Sequence, residues 1–455
     1  MSSPLHRWIA LAGALLAVAC GGDEPRPSVV MVVGDTLRAD KLSCMGGPAG
    51  LTPYLDRIAA AGVRFDQARS HAPWTLPSTA SMLTSLHPEE HGAGGRLGRF
   101  TKLDAEVQTV VRSFRDQGYR THAIVNVLFL DPERFGVTRD FETVDQQVFE
   151  TNVDVRAADA TTRAALDWID ANGDDGPFFL LVHYFDPHCV YAPPLAFRER
   201  WAEPGDQQGE WTFGTRPQMV AIREGELSPA AATIRRAEAL YNGEVSYLDA
   251  QIGRLDDGLA ARGERDELVL VVTADHGEEF LEHGGFEHGH TLYDELVRVP
   301  MLIRAPARLA PAVVEAPVRH IDLAPTLCEL CNVPVPGQFV GRSLVPLASG
   351  EPEGERRPTL AHGNMWARPQ TSWTSAGWKL IVREGADPEL YEVIADPAEQ
   401  RDLAGARPEE LARLLAELEA VEAGMSALKR GEEASLDPST REVLNGLGYG
   451  GGEQR

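Results

Sequence analysis

The sequence predicts an α/β protein, a mostly parallel sheet sandwiched by helices and followed by a small antiparallel unit. Three observations carry that prediction. Apolar runs of strand length, among them VVMVVG, FFLLVHYF and LVLVVTA, recur between helix-like segments; runs that are apolar throughout, instead of alternating, belong to strands buried on both faces. Those three runs end in polar residues: Asp35, then Asp186-Pro187-His188, then Asp275-His276. In an open parallel sheet the carboxyl ends of the strands line the ligand crevice, so residues far apart in the chain converge there. Beyond residue 350 the pattern changes to TSWTSAGWKLIVREGADPELYEV, alternation broken by turn signals, as a small antiparallel sheet requires.

Taken in order, Arg7 provides a basic start, Ile9 to Ala19 an apolar stretch, and AVAC a small-residue processing site ending on Cys20. This is the pattern of a bacterial lipoprotein signal over residues 1–20, with lipid on Cys20 and GGDEPRP, residues 21–27, as a tether; it predicts an exported, membrane-anchored, periplasmic or cell-surface protein. An apolar run this short does not span a bilayer, which takes roughly 20 residues. The α/β domain is then expected over 28–349. Its first unit is strand, helix, strand: SVVMVVGD, then TPYLDRIAAAG opened by Thr52-Pro53 and closed by Gly62, then VRFDQA. GYRTHAIVNV, PFFLLVHYF, ELVLVVTAD and VPMLIRAP continue as buried parallel strands. Residues 189–228 form a long, partly aromatic insertion, with Trp201 and Trp211 assigned to loop packing. EPEGERRP marks a linker, the antiparallel subdomain follows over 350–405, and 406–455 is a tail in which PEELARLLAELEAVEAG is an amphipathic helix and GLGYGGGEQR a frayed end.

With 43 Lys and Arg against 68 Asp and Glu, the formal charge is −25. Such a chain repels nucleic acid, which excludes a nucleic-acid partner, and an anionic substrate needs a local positive site such as a metal. Cys328 and Cys331 sit in an apolar helical pattern with no second CxxC or nearby His, so they read as small core residues instead of zinc ligands.

The chemistry concentrates in a few residues. Asp275 and His276 after a strand pair a hard oxygen with an imidazole, a set suited to zinc, manganese or another divalent metal, and Asp35 supplies another oxygen. In HAPWTLPSTASMLTS, Pro77 belongs in the first turn of a helix, which puts Thr75 near the helix N-terminus, where the dipole favours an anion. A hydroxyl there beside a metal has a lowered pKa and is a stronger nucleophile. Ser78 reads as an N-cap.

VVMVVGDTLRADKLSCMG, APWTLPSTASMLTSLHPEEHG, the DPH after a strand, and TADHGEEFLEHGGFEHGHTLYDELVRVP together resemble the sulfatase family of the alkaline phosphatase superfamily; ELYEVIADPAEQRDLAG resembles its small C-terminal domain. The resemblance implies an alkaline-phosphatase-like fold and a sulfate- or phosphate-ester substrate. It further implies one divalent metal ion (Ca, Mg, Mn or Zn) on Asp35, Thr75, Asp275 and His276, with Thr75 in the nucleophile position and His188 beside the leaving group. His288 or His290 takes the place of a substrate-binding Lys, whose own position falls on Gly289. His283 is a weaker candidate, and Asp186, His188 and His290 are of ligand types that suit a second ion.

The sequence also departs from the family. The formylglycine motif begins with Cys or Ser and ends in Arg, and here those places hold Thr75 and Thr79. Oxidising Thr would give a ketone, so no formylglycine is expected. Asn126 stands in a block that elsewhere carries Lys and His, and Thr36 replaces the second Asp of the usual pair. A Thr-sulfate ester is slow to hydrolyse, whereas a Thr-phosphoryl or Thr-phosphonyl ester is cleaved by attack at phosphorus. The expected activity is therefore metal-dependent hydrolysis of sulfate or phosphate/phosphonate esters with metal-activated Thr75. The alternatives are a phospho-group transferase of the cell envelope and a non-catalytic sulfatase-like binding protein.

Overall fold

The computed structural model describes residues 26–96, 98–147, 155–202, 216–223, 225–354, 356–425 and 431–446. Cys20 and the signal and tether up to residue 25, Trp211, and the last nine residues of the Gly-rich end lie outside the described residues. Eight strands form the main sheet, in the order Ala312–Arg319, Val63–Arg69, Met301–Arg304, Val269–Ala274, Val29–Gly34, Phe178–Tyr184, Arg120–Val125 and Thr143–Gln146. Seven run the same way. Met301–Arg304 runs antiparallel to both neighbours, which corrects the parallel assignment of VPMLIRAP. An apolar run buried on both faces looks the same in either direction, so its sequence does not encode its polarity.

The centre of the sheet is its driest part. Val29, Val30 and Val32 are fully buried, as are Leu180, Val182, Val269, Val271 and Val272, which is why these runs are apolar at every position. Helices Pro53–Ala60, Ala158–Asn172 and Ala231–Ala261 pack on one another as one layer; Thr75–Thr84, Val110–Asp116 and Leu323–Leu330 form the other. Pro53 starts its helix at N1, where the missing amide costs nothing. Cys328 and Cys331 are buried free thiols within the core, and Trp201 packs against it partly buried.

The C-terminal sheet is antiparallel, with strands Thr359–His362, Gln370–Ser375, Trp378–Arg383 and Glu389–Glu392 paired in sequence order. Helix Pro408–Gly424 lays Leu414 and Leu418 on Leu360, Trp373, Leu380 and Leu390, so helix and sheet share one small core. The chain then returns to the main domain: the Lys102 and Ala434 amides donate to the Glu432 and Phe100 carbonyls, and Leu436 and Leu444 join the main core. Among the described residues no helix is long and apolar enough to cross a membrane.

Candidate active site

Gly34 is in register with both Tyr184 and Ala274. The three central strands therefore end level, and Asp35, Phe185 and Asp275 leave the sheet side by side. None of the strand-end aspartates acts as a helix cap. Asp35 and Asp275 are fully buried, and Asp275 Oδ1 accepts from the His276 amide at 2.9 Å and the Thr36 amide at 3.3 Å. Thr36 holds a left-handed φ of 59°, fixed by Tyr241, whose hydroxyl donates to the Thr36 carbonyl at 2.6 Å and accepts from the Arg38 amide at 3.1 Å. Gly277 has to be glycine, since a Cβ there would lie 2.0 Å from the Glu295 carbonyl oxygen.

Thr75 is the first residue of helix Thr75–Thr84, entered from extended Trp74, with Pro77 inside the first turn. Its Oγ1 lies 3.4 Å from His276 Nε2. Ser78 is not the N-cap expected of it. It sits one turn into the helix, where its hydroxyl donates to the Asp275 carbonyl at 2.5 Å and lies 3.3 Å from His320 Nδ1, tying helix to strand end. Trp74 Nε1 donates to the Gly363 carbonyl and the His362 amide to the His71 carbonyl, so the C-terminal sheet is anchored directly on the segment that precedes Thr75.

His276 Nε2 is 3.6 Å from Asp35 Oδ1 and 3.4 Å from Asp275 Oδ2. Its Nδ1 is 2.9 Å from the Gly277 carbonyl; a carbonyl only accepts, so Nδ1 carries the proton and Nε2 of the neutral ring is an acceptor. Two carboxyl groups and an acceptor nitrogen thus converge at one point. Among the described residues both oxygens of Asp35, Oδ2 of Asp275 and the hydroxyl of Thr36 lack hydrogen-bond partners. Burial, then Asp275 and Glu278, push the Asp35 carboxyl well above its usual range. Burial acts on Asp275 too, but the His276 and His183 imidazoles outweigh it and lower that carboxyl. Acceptors left unpaired in a dry pocket fit a cation, and Asp35, Asp275, His276 and Thr75 are the residues that would hold it.

Two further imidazoles continue from His276. The His288 ring lies 4.6 Å from that of His276 and 4.9 Å from that of His188, centroid to centroid. His288 Nδ1 donates to Glu278 Oε1 at 2.9 Å, and burial raises Glu278 to about 7. His188 Nδ1 donates to the Cys189 carbonyl at 2.5 Å; burial, with His288 next, pushes this ring far below its ordinary pKa. The structure separates the two alternatives at 288 and 290. His288 is in the row, whereas His290 turns to Glu279, Nε2 to Oε2 2.8 Å. Gly289, at φ 80° and against Trp366, reverses the chain between them. His283 is used by Glu295 and by the Glu399 carbonyl. Asp186 faces Glu244: burial raises Asp186 to about 6 while the hydrogen bond with Glu244 works against it, and burial, then Asp186, raise Glu244 well above its usual range. Among the described residues Asp186, His188 and His290 do not bring one ligand atom each within 4.8 Å of one another, so the second-ion set is not assembled.

One residue of the site is illegible in the motifs. His183, inside the strand Phe178–Tyr184, brings Nε2 to 3.6 Å from Asp35 Oδ2, and burial holds its pKa down at about 4. The only signal is a lone polar residue in an otherwise apolar central strand.

The family model described as Sulfatase matches residues 27–333, and that of N-sulphoglucosamine sulphohydrolase, C-terminal, matches 281–423. The chain is 26% identical over 420 residues to the uncharacterized sulfatase YidJ of Escherichia coli (strain K12), covering 83% of each. It is 24% identical over 494 residues to the N-acetylglucosamine-6-O-sulfatase of Bacteroides thetaiotaomicron, covering 89% of this chain and 88% of that one. Among solved structures, the phosphonate monoester hydrolase of Agrobacterium radiobacter superposes with a TM-score of 0.69 at 20% identity, covering 88% of this chain and 96% of the other. With its eight-stranded sheet, its level strand ends and a family match over two thirds of its length, the chain belongs to the sulfatase family and is an ester hydrolase of the alkaline-phosphatase-like fold.

Proposed function

We propose that this hydrolase cleaves phosphorus esters, of phosphate or phosphonate, with unmodified Thr75 as nucleophile. The observation that carries the reading is Thr75 itself, a residue that cannot become formylglycine, placed at a helix N-terminus with its hydroxyl 3.4 Å from His276. A divalent ion held by Asp35, Asp275 and His276 would supply charge to the ester oxygens and acidify the hydroxyl. Thr75 Oγ attacks phosphorus, the bond from phosphorus to the ester oxygen breaks, and the hydroxyl proton ends on the departing alkoxide. The amides of the first helical turn and the helix dipole favour the anionic phosphoryl group. His288, fixed by Glu278, and His188, fixed by the Cys189 carbonyl, carry the proton to the leaving oxygen. Water then attacks phosphorus, the bond from phosphorus to Oγ1 breaks, and the proton that water loses passes to Oγ1, which frees Thr75. The relatives named for sulfate esters favour a second reading, sulfate-ester hydrolysis.

The test is metal-loaded protein on p-nitrophenyl phenylphosphonate, bis-p-nitrophenyl phosphate and p-nitrophenyl sulfate. Phosphorus esters are expected to give the higher kcat/KM, and Thr75→Ala to lose at least about 10³-fold, the weight of a covalent nucleophile. A higher kcat/KM on the sulfate, or turnover that survives Thr75→Ala, overturns the proposal.

The leader pattern ending on Cys20 supports export and lipid anchoring of this activity at the cell envelope. Labelled palmitate is expected to mark the wild-type chain and not Cys20→Ala; equal labelling of both, or none, refutes the anchor.

A further inference from the structure

His183 has no part in the steps above, yet it is 1 % exposed and, among the described residues, neither ring nitrogen has a hydrogen-bond partner. Burying an imidazole unpaired costs free energy that packing alone does not return. Its place in the sheet is fixed: His183 is in register with Val33, two residues before Asp35. One ligand atom from each of Asp35, His183 and Asp275 lies within 4.8 Å of the others. Asp35 stands between two rings, with Oδ2 3.6 Å from His183 Nε2 and Oδ1 3.6 Å from His276 Nε2.

These separations are too long for hydrogen bonds and suit donors that share an ion. Two ligands each about 2.1 Å from a tetrahedral metal are about 3.4 Å apart; His183 to Asp35, His276 to Asp35, His276 to Asp275 and Thr75 to His276 are 3.4 to 3.6 Å. Spacing does not choose the ion, because oxygen ligands about 2.4 Å from a six-coordinate calcium are separated by the same amount. Donor chemistry does. Calcium and magnesium take oxygen, whereas imidazoles suit the later transition ions, zinc above manganese. At position 36, where the family resemblance leads one to expect a further carboxylate, this chain has a neutral threonine. The set thus lacks the hard anionic donor expected at position 36 and includes two imidazole nitrogens, those of His183 and His276.

We propose that His183 is a direct ligand of the catalytic ion and that the set of Asp35, Asp275, His183 and His276 selects zinc over calcium and magnesium. The proposal rests on the reading above that a divalent ion sits beside Thr75, and deepens it by adding a donor and choosing the ion.

The experiment uses the full chain, stripped of metal and titrated with Zn²⁺, Mn²⁺, Ca²⁺ and Mg²⁺ against a chromophoric chelator, with Co²⁺ absorption as a second readout. Zinc is expected to bind tightest. His183→Asn should lose more than about 100-fold in zinc affinity, beyond the roughly 10–100-fold that follows loss of a group merely hydrogen-bonded to a ligand, and should shift the Co²⁺ bands. His183→Asp, which restores an oxygen donor, should regain affinity for calcium. A smaller zinc loss, or an unchanged Co²⁺ spectrum, overturns the proposal; if His276→Ala abolishes binding in the same series, the metal reading stands without His183. If neither His183→Asn nor His276→Ala alters binding, both fail. Should the variants not fold, electron spin-echo spectroscopy of the Mn²⁺-loaded wild type decides, with two coordinated imidazole nitrogens expected and a single one overturning the assignment.

Discussion

His288 and His290 are two residues apart and chemically identical, yet their surroundings give them different work. His288 is 1 % exposed, fixed by Glu278 and in contact with the rings of His276 and His188. His290 is hydrogen-bonded to Glu279; burial would lower its pKa, but that bond raises it. His288→Ala is therefore expected to cost about 10²- to 10⁴-fold in kcat, the usual weight of an acid-base group, while His290→Ala lowers stability and leaves kcat close to that of the parent. Steady-state kinetics and thermal melts of the two variants, side by side, check this; the reverse ranking would put the proton relay elsewhere. At this scale the sequence reveals residues that sit in a recognisable motif at a strand end, such as Asp35, Asp275 and His276, or at a helix start, such as Thr75. It does not reveal His183, because a lone histidine in FFLLVHYF reads as core. Nor does it divide His288 from His290, since that depends on the left-handed turn at Gly289. The N-cap role given to Ser78 fails for a related reason: the helix begins at Thr75, and the serine is spent on the Asp275 carbonyl.

The segment from Glu279 to Thr291 behaves as an element held by one carboxylate. Glu279 accepts from the amides of His283 at 3.0 Å and Gly285 at 2.7 Å, from His290 Nε2 at 2.8 Å and from the Thr291 hydroxyl at 3.1 Å. Burial alone would raise its pKa, but these bonds outweigh it and hold the carboxyl at about 2. The folded value lies below that of the unfolded chain, so the stabilisation is complete above roughly pH 4.5 and is lost as the pH falls toward 2. Glu279→Gln is accordingly expected to melt below the wild type at pH 7, and the gap in Tm to close as the pH drops through 4. A gap that stays constant with pH would mean that the charge is not what holds the loop. Elements themselves were largely readable: strand runs, the Thr52-Pro53 helix start and the amphipathic helix before residue 425 all carry local signals. Direction was not, because Met301–Arg304 is antiparallel through its pairing partners, which lie far along the chain.

Across the whole molecule, four charged residues join the two sheets. Arg69 ends a strand of the main sheet and bonds Asp294 bidentately, at 2.6 and 3.1 Å. Lys379, from the C-terminal sheet, reaches Asp294 at 2.9 Å and Glu399 at 2.8 Å, and Glu399 accepts from the Asp294 amide at 2.6 Å. Lys379 is 0 % exposed. The subdomain is legible in sequence from its alternation, but this link is not, since positions 69, 294, 379 and 399 share no spacing rule. The consequence is mechanical: the C-terminal sheet, which hydrogen-bonds the segment just before Thr75, is fastened to the main sheet by buried charge. Replacing one member leaves its partners charged and dry, a loss of about 3–5 kcal/mol, whereas swapping a whole buried pair for apolar residues is often neutral. Lys379→Met is thus expected to lower the unfolding free energy by that much, read as a fall in the urea midpoint at unchanged m, and Lys379→Met with Glu399→Leu to recover a large part of it. Because none of the four touches Thr75 or the imidazole row, kcat per folded molecule should persist in both. If kcat falls in step with the midpoint, the clamp also sets the position of the nucleophile helix through Trp74 and Gly363.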